Sequence, residues 1–144
     1  MKNSPPEDNF KDCVVRVRYA ETDRMGVAYY ANYLIWFEVA RAEYCRQMGF
    51  SYAEMERESS CVLVVTQAQC KYRRSVTYED ELNIRTWVKD LRKRAIVFAY
   101  RVTRCDDGRI VAEGETQHLV VDRAGKPISM PDRYFGLLKN GCLH

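Results

Sequence analysis

The chain has 144 residues, of which 47% are hydrophobic, and a formal net charge of +3. That length suits one domain, which buries roughly 68–70% of its unfolded surface without disulfide or metal staples. So small a charge excess gives no ground for a nucleic-acid partner, and no run reaches the roughly 18 apolar residues that cross a bilayer.

The first ten residues, MKNSPPEDNF, are polar and contain prolines. They lack the apolar run of an export signal. Residues 1–10 are expected to be a flexible lead-in to a single domain spanning 1–144, and the cytoplasm is the expected location. Cys13, Val15, Val17 and Tyr19 alternate with Val14, Arg16 and Arg18, which predicts a strand. TDRMG breaks it. Ala31 to Met48 predicts a helix, apolar on almost every face over its first half and therefore expected to be buried. Gly49 suits a left-handed helix end, and Ser51 with Glu54 forms a capping-box signature for a second, short helix.

Strands follow. Cys61–Arg73, Glu81–Lys89, Arg94–Arg104 and Arg109–Val121 are rich in β-formers or alternate in polarity, with Gly-bearing turns in CDDGR and DRAGKP. A short helix is expected in MPDRYFGLLKN, with Pro131 near its start. The order predicts an α+β domain, an antiparallel sheet curled around one long helix. Long unpaired sheet edges invite a second copy, so a dimer or larger assembly is expected.

Six cysteines occur, none in a Cys-x-x-Cys pair, and no histidine stands at zinc-finger spacing. Free thiols are expected, and no metal. Glu21 beside Asp23 lacks the third ligand that a metal site requires. His118 is expected to be structural, and the terminal His144 carries no inference.

The stretch RYAETDRMGVAYYANYLIWFEVAR, residues 18–41, resembles the signature of the hotdog-fold acyl-CoA thioesterases of the 4-hydroxybenzoyl-CoA thioesterase type. The resemblance extends from about Val14 to Val121. It implies a five-stranded antiparallel sheet around a central helix and paired sheets in a homodimer or homotetramer. It also implies an active site at the subunit interface and acyl-CoA as substrate, with no cofactor. It assigns Asp23 as the carboxylate facing the thioester and the Tyr30 peptide N–H as the group polarising its carbonyl. In a Tyr-His-Ala-Asn-Tyr run, many relatives carry histidine where this chain has Tyr30; a role of the peptide N–H survives that change and a role of imidazole does not.

Chemistry supports the pairing. Thioester hydrolysis builds negative charge on the carbonyl oxygen, which a helix start can stabilise through unpaired N–H groups. A carboxylate then serves as nucleophile or as base for water. An aspartate before a helix also commonly caps it or makes a turn. Gly26 would let the loop pass close to the substrate. Glu38 is the reserve acid; its ordinary role is an ion pair with Arg41, three residues on. Arg92, Lys93 and Arg94 would hold the phosphates of coenzyme A or simply form a solvated turn. Lys71, Arg73 and Arg74 form a second basic run open to the same two roles. The surrounding tyrosines could line an acyl pocket or be core. A non-catalytic module binding or sensing acyl-CoA or acyl carrier protein is the alternative function, with hydratase chemistry third, since His118 lies far from the motif in sequence.

Overall fold

Along one strand, Leu82, Ile84 and Thr86 are buried while the intervening Asn83 and Arg85 are half-exposed. This period-two pattern fixes which face of the sheet meets the core. The computed structural model describes residues 5–6 and 9–141. Residues 1–4 and 7–8 of the expected lead-in, together with Cys142 and His144, lie outside the described residues. The elements are β1 (Lys11–Arg16), a 3₁₀ turn (Tyr19–Glu21), α1 (Asn32–Met48), α2 (Tyr52–Ser59), β2 (Val62–Tyr72), β3 (Glu81–Leu91), β4 (Ala95–Arg104), β5 (Ile110–Val121) and α3 (Asp132–Asn140).

The strands form one five-stranded sheet in the order β1-β3-β4-β5-β2, with every pairing antiparallel. The sheet curls around α1, as the α+β prediction requires. Gly49 closes α1 in the left-handed conformation, φ 112°. Ser51 Oγ caps α2 by accepting from the Glu54 N–H at 3.0 Å. The Glu54 carboxylate pairs with Arg133 at 2.7 Å, so it bridges to α3.

Two expectations need correction. β1 stops at Arg16 and does not run to Tyr19. Val17 N–H bonds to the Asp80 carbonyl at 2.9 Å, and Tyr19–Glu21 then winds into a 3₁₀ turn. The second concerns α1, which is not buried all round. Tyr33, Trp36, Phe37, Ala40 and Tyr44 face the sheet, whereas Leu34, Ile35 and Val39 stay exposed. One sheet covers one side of a helix, and a helix that is apolar all round does not reveal in sequence which side that is.

Close packing beneath α1 depends on Gly114. A Cβ there would lie 2.5 Å from both the Gln69 carbonyl oxygen and Phe37 Cε2. Its absence lets Phe37 stack on Tyr100, ring centroids 4.3 Å apart and planes 4° from parallel. At the sheet margin, β2 pairs only with β5, and its residues from Val64 to Gln69 are exposed.

Candidate active site

The loop between β1 and α1 is built on Glu21. This carboxylate is buried, 5% exposed, and accepts from the Arg18 N–H at 2.8 Å, Trp36 Nε1 at 2.9 Å and Arg18 Nη2 at 3.3 Å. Burial pushes the Glu21 carboxyl up, but these donors and the Arg18 charge outweigh it and hold it below the ordinary carboxylate range. The Glu21 carbonyl accepts from Tyr29 N–H and Asn32 Nδ2, both at 2.8 Å. The two ends of the loop are thereby tied together, and Asp23 stands on the segment between them.

Asp23 does shape a turn. Its Oδ1 accepts from the Met25 N–H at 2.8 Å, and its backbone bonds to Val27 and Gly26. Gly26 takes φ 82°, the left-handed conformation that closes this turn at its exposed tip. Asp23 Oδ2 accepts no hydrogen bond from the described residues. The aspartate therefore makes a turn and keeps one carboxylate oxygen available for chemistry.

Across from it, the chain enters α1 at Ala31, which has no side-chain cap. The N–H groups of Tyr30 and Ala31 have no acceptor among the described residues. The Tyr30 carbonyl is held by Tyr72 Oη at 2.9 Å. Asp23 and Tyr30 share a cleft of about 330 Å³ that is also lined by Tyr33, Tyr72, Arg73 and Arg74. Tyr72 makes edge contacts with Tyr30 and Tyr33, at centroid distances of 6.3 and 5.0 Å. Burial pushes the Tyr33 and Tyr72 hydroxyls up to about 12, so both are neutral.

The remaining sequence-predicted residues lie elsewhere. Glu38 is exposed on α1 and is absent from the cleft lining. Its expected partner Arg41 turns inward instead, to Tyr52 Oη and Tyr100 Oη at 3.1 Å each. Arg92, Lys93 and Arg94 form the β3–β4 turn, where Arg92 pairs with Asp90 at 3.2 Å and Lys93 with Asp132 at 3.1 Å. The Asp23 loop lies beside the opposite end of β3, through the Val17–Asp80 bond. A strand of this length spans roughly 33 Å, so one protomer does not bring these basic residues to Asp23. The second basic run does reach the cleft, through Arg73 and Arg74; Arg73 also pairs with Glu113 at 3.1 Å. Tyr72 was legible only as one of many tyrosines. Glu21 faces Trp36 and shares no ligand position with Asp23, and no metal-ligand cluster occurs among the described residues. No helix among them is long and apolar enough to cross a membrane.

A family model described as the thioesterase-like superfamily matches residues 17–135. The acyl-CoA thioester hydrolase YbgC of Escherichia coli O157:H7 is 31% identical over 119 residues, covering 83% of this chain and 84% of that protein. The crystal structure of a DHNA-CoA thioesterase from Staphylococcus aureus superposes with a TM-score of 0.83 at 34% identity, covering 92% of this chain and 87% of that one. The 4-hydroxybenzoyl CoA thioesterase of Pseudomonas sp. strain CBS-3 shares the fold, with a TM-score of 0.80 at 21% identity over 89% of this chain and 98% of that one. The chain belongs to the thioesterase-like superfamily, with the hotdog fold of the 4-hydroxybenzoyl-CoA thioesterases.

Proposed function

We propose that the protein hydrolyses acyl-CoA thioesters to the free acid and coenzyme A. The observation that carries this reading is that Asp23 and Tyr30 line one cleft, together with a Tyr30 N–H that has no acceptor among the described residues. The names of the Escherichia coli and Staphylococcus aureus relatives support the substrate class. The thioester carbonyl oxygen takes the Tyr30 N–H at the positive end of α1. Asp23 then acts on the carbonyl carbon in one of two ways. As nucleophile, it expels the coenzyme A thiolate and forms a mixed anhydride that water cleaves. As base, it removes a proton from the attacking water. Neither route uses a metal or a bound organic cofactor.

The exposed edge of β2 supports pairing with a second copy, as a dimer or a tetramer. Antiparallel pairing there carries the partner's β3–β4 turn toward this protomer's Asp23 end. In such an assembly Arg92, Lys93 and Arg94 reach the phosphates of coenzyme A across the interface. The cytoplasm is the proposed location.

Thiol release from a panel of aryl, short and long acyl-CoA thioesters tests the reading. Asp23→Asn keeps an oxygen for the Met25 N–H, so it folds as the wild type does. Its kcat falls by about 10²–10⁴-fold, the range for removing a positioned acid or base. Wild-type rates in both Asp23→Asn and Asp23→Ala would end the assignment of Asp23. Binding of acyl-CoA with no thiol released by the wild type would make the protein a binding module.

A further inference from the structure

Arg41 is 8% exposed, near the middle of α1. Nε and Nη1 donate to the phenol oxygens of Tyr52 and Tyr100, and Nη2 donates to no described residue. No carboxylate among the described residues lies within ion-pair distance of it; its hydrogen-bond partners are tyrosines, with Cys45 and His118 nearby. A guanidinium stays charged throughout the physiological range, and a largely buried one gains from a counter-charge at its free nitrogen.

The network around it supplies no anion. Arginine only donates, so Tyr100 Oη directs its own proton to Thr116 Oγ1, 2.7 Å away. The Thr116 hydroxyl then donates to His118 Nε2 at 2.8 Å. That arrangement gives the Tyr100 and Thr116 protons an acceptor each and leaves both phenol partners of Arg41 neutral.

Strand register fixes where this network sits. On β5, Thr116 lies opposite Ala68 of β2, and His118 opposite Val65. Opposed residues share a face of the sheet. Val65 is 52% exposed, and Ala68 is exposed as well. The inner face of β2 beside the Arg41 network is thus uncovered. On the helix side, Tyr30, Leu34, Glu38 and Arg41 follow one stripe. Tyr30, Leu34 and Glu38 on it are exposed, the first two at 59% and 40%, and only Arg41 is buried, at 8%.

From these exposures we infer an open path between this stripe and the inner face of β2, continuing the cleft of Asp23 and Tyr30. At one end are the Tyr30 N–H and Tyr72, and at the other is a buried cation with no anion. The helical rise between Tyr30 and Arg41 is roughly 16 Å, and a helical side chain leans toward the N-terminus, which shortens the gap. We propose that Arg41 is a specificity-determining residue that receives a carboxylate at the far end of the acyl group, so that the substrates are thioesters of dicarboxylic acids. The inference rests on the thioesterase reading, because the thioester carbonyl must occupy the Tyr30 end.

The test compares decanedioyl-CoA with decanoyl-CoA. Thiol release is read in the wild type, and binding by calorimetry in Asp23→Asn, which does not consume the thioester. Decanedioyl-CoA is favoured by at least about tenfold in kcat/KM and in Kd, the size of one charge-assisted hydrogen bond. Arg41→Met, combined with Asp23→Asn for the binding arm, collapses that ratio to one or below; using the ratio cancels any loss common to both thioesters. If Arg41→Met does not fold, Arg41→Gln decides in its place, since it can still donate to Tyr52 or Tyr100 but carries no charge. Equal treatment of the two thioesters by the wild type, a preference for decanoyl-CoA, or a ratio that survives loss of the Arg41 charge would each overturn the proposal. Failure of the thioesterase reading looks different: neither thioester releases thiol, while the binding ratio still reports on Arg41.

Discussion

The indole Nε1 of Trp36 donates to Glu21 Oε2 at 2.9 Å, joining the first turns of α1 to the loop that carries Asp23. Replacing Glu21 by alanine strands that indole and the Arg18 N–H without their acceptor. Each buried donor left unsatisfied costs about 1–3 kcal/mol. Urea denaturation of Glu21→Ala is expected to show a loss of at least about 2 kcal/mol. Thiol release falls too, because the Asp23 loop loses its anchor. An unchanged urea midpoint would show that the loop is held by its backbone bonds alone.

Gly114→Ala tests the packing under α1. The added methyl group would meet the Gln69 carbonyl and the Phe37 ring at 2.5 Å. Overpacking of this kind costs about 1–3 kcal/mol, because a strand and a helix must separate. Lower thermal stability with loss of the Phe37–Tyr100 stacking signature in near-UV spectra is the expected result.

His118 gives stability a pH dependence of known sign. Burial, helped by the nearby Arg41 charge, pushes its imidazole down to about 3, against an ordinary value of about 6.5. The unfolded chain takes up this proton as pH falls below about 6.5, and the folded chain does not. Stability is therefore full above that pH and is lost on acidification, by about 1.4 kcal/mol per pH unit. Denaturant titrations between about pH 6 and 5 isolate the histidine, since carboxylates titrate lower. His118→Gln flattens the slope in that window; a persisting slope would assign it to other groups.

The edge of β2 predicts assembly. Sedimentation equilibrium of the wild type is expected to give a dimer or tetramer. The double variant Val64→Lys and Val65→Lys places charges on the exposed strand, the device by which proteins keep edges apart. Its mass shifts toward the monomer. If the wild type sediments as a monomer at micromolar concentration, edge pairing is excluded.

Alternation in β3 and the richness of β2 in β-forming residues made strands legible to within a residue or two, since both signals are local. The end of β1 was not legible: Val17 and Tyr19 continue the alternating pattern, while the 3₁₀ turn depends on Asp80, which is distant in sequence. Asp23 and Tyr30 are neighbours in one motif, so the resemblance of that motif named both residues that the fold brings to one cleft. Arg92 to Arg94 illustrate the opposite case. Their distance from Asp23 follows from β1 pairing antiparallel with β3, and no local pattern says which strands pair. Arg41 was misread for a related reason. The i,i+3 spacing to Glu38 is real, but only the placement of the sheet decides that Arg41 faces inward.

The phenol of Tyr72 belongs to edge strand β2, yet it grips the Tyr30 carbonyl at the entrance to α1. The edge strand proposed to pair with a second copy is thus also the strand that steadies the start of α1. In the proposed assembly a second copy pairs along the strand that carries this hydroxyl, so catalytic output per chain is expected to depend on concentration. Diluting the enzyme until its copies separate would idle the site before any part of it unfolded.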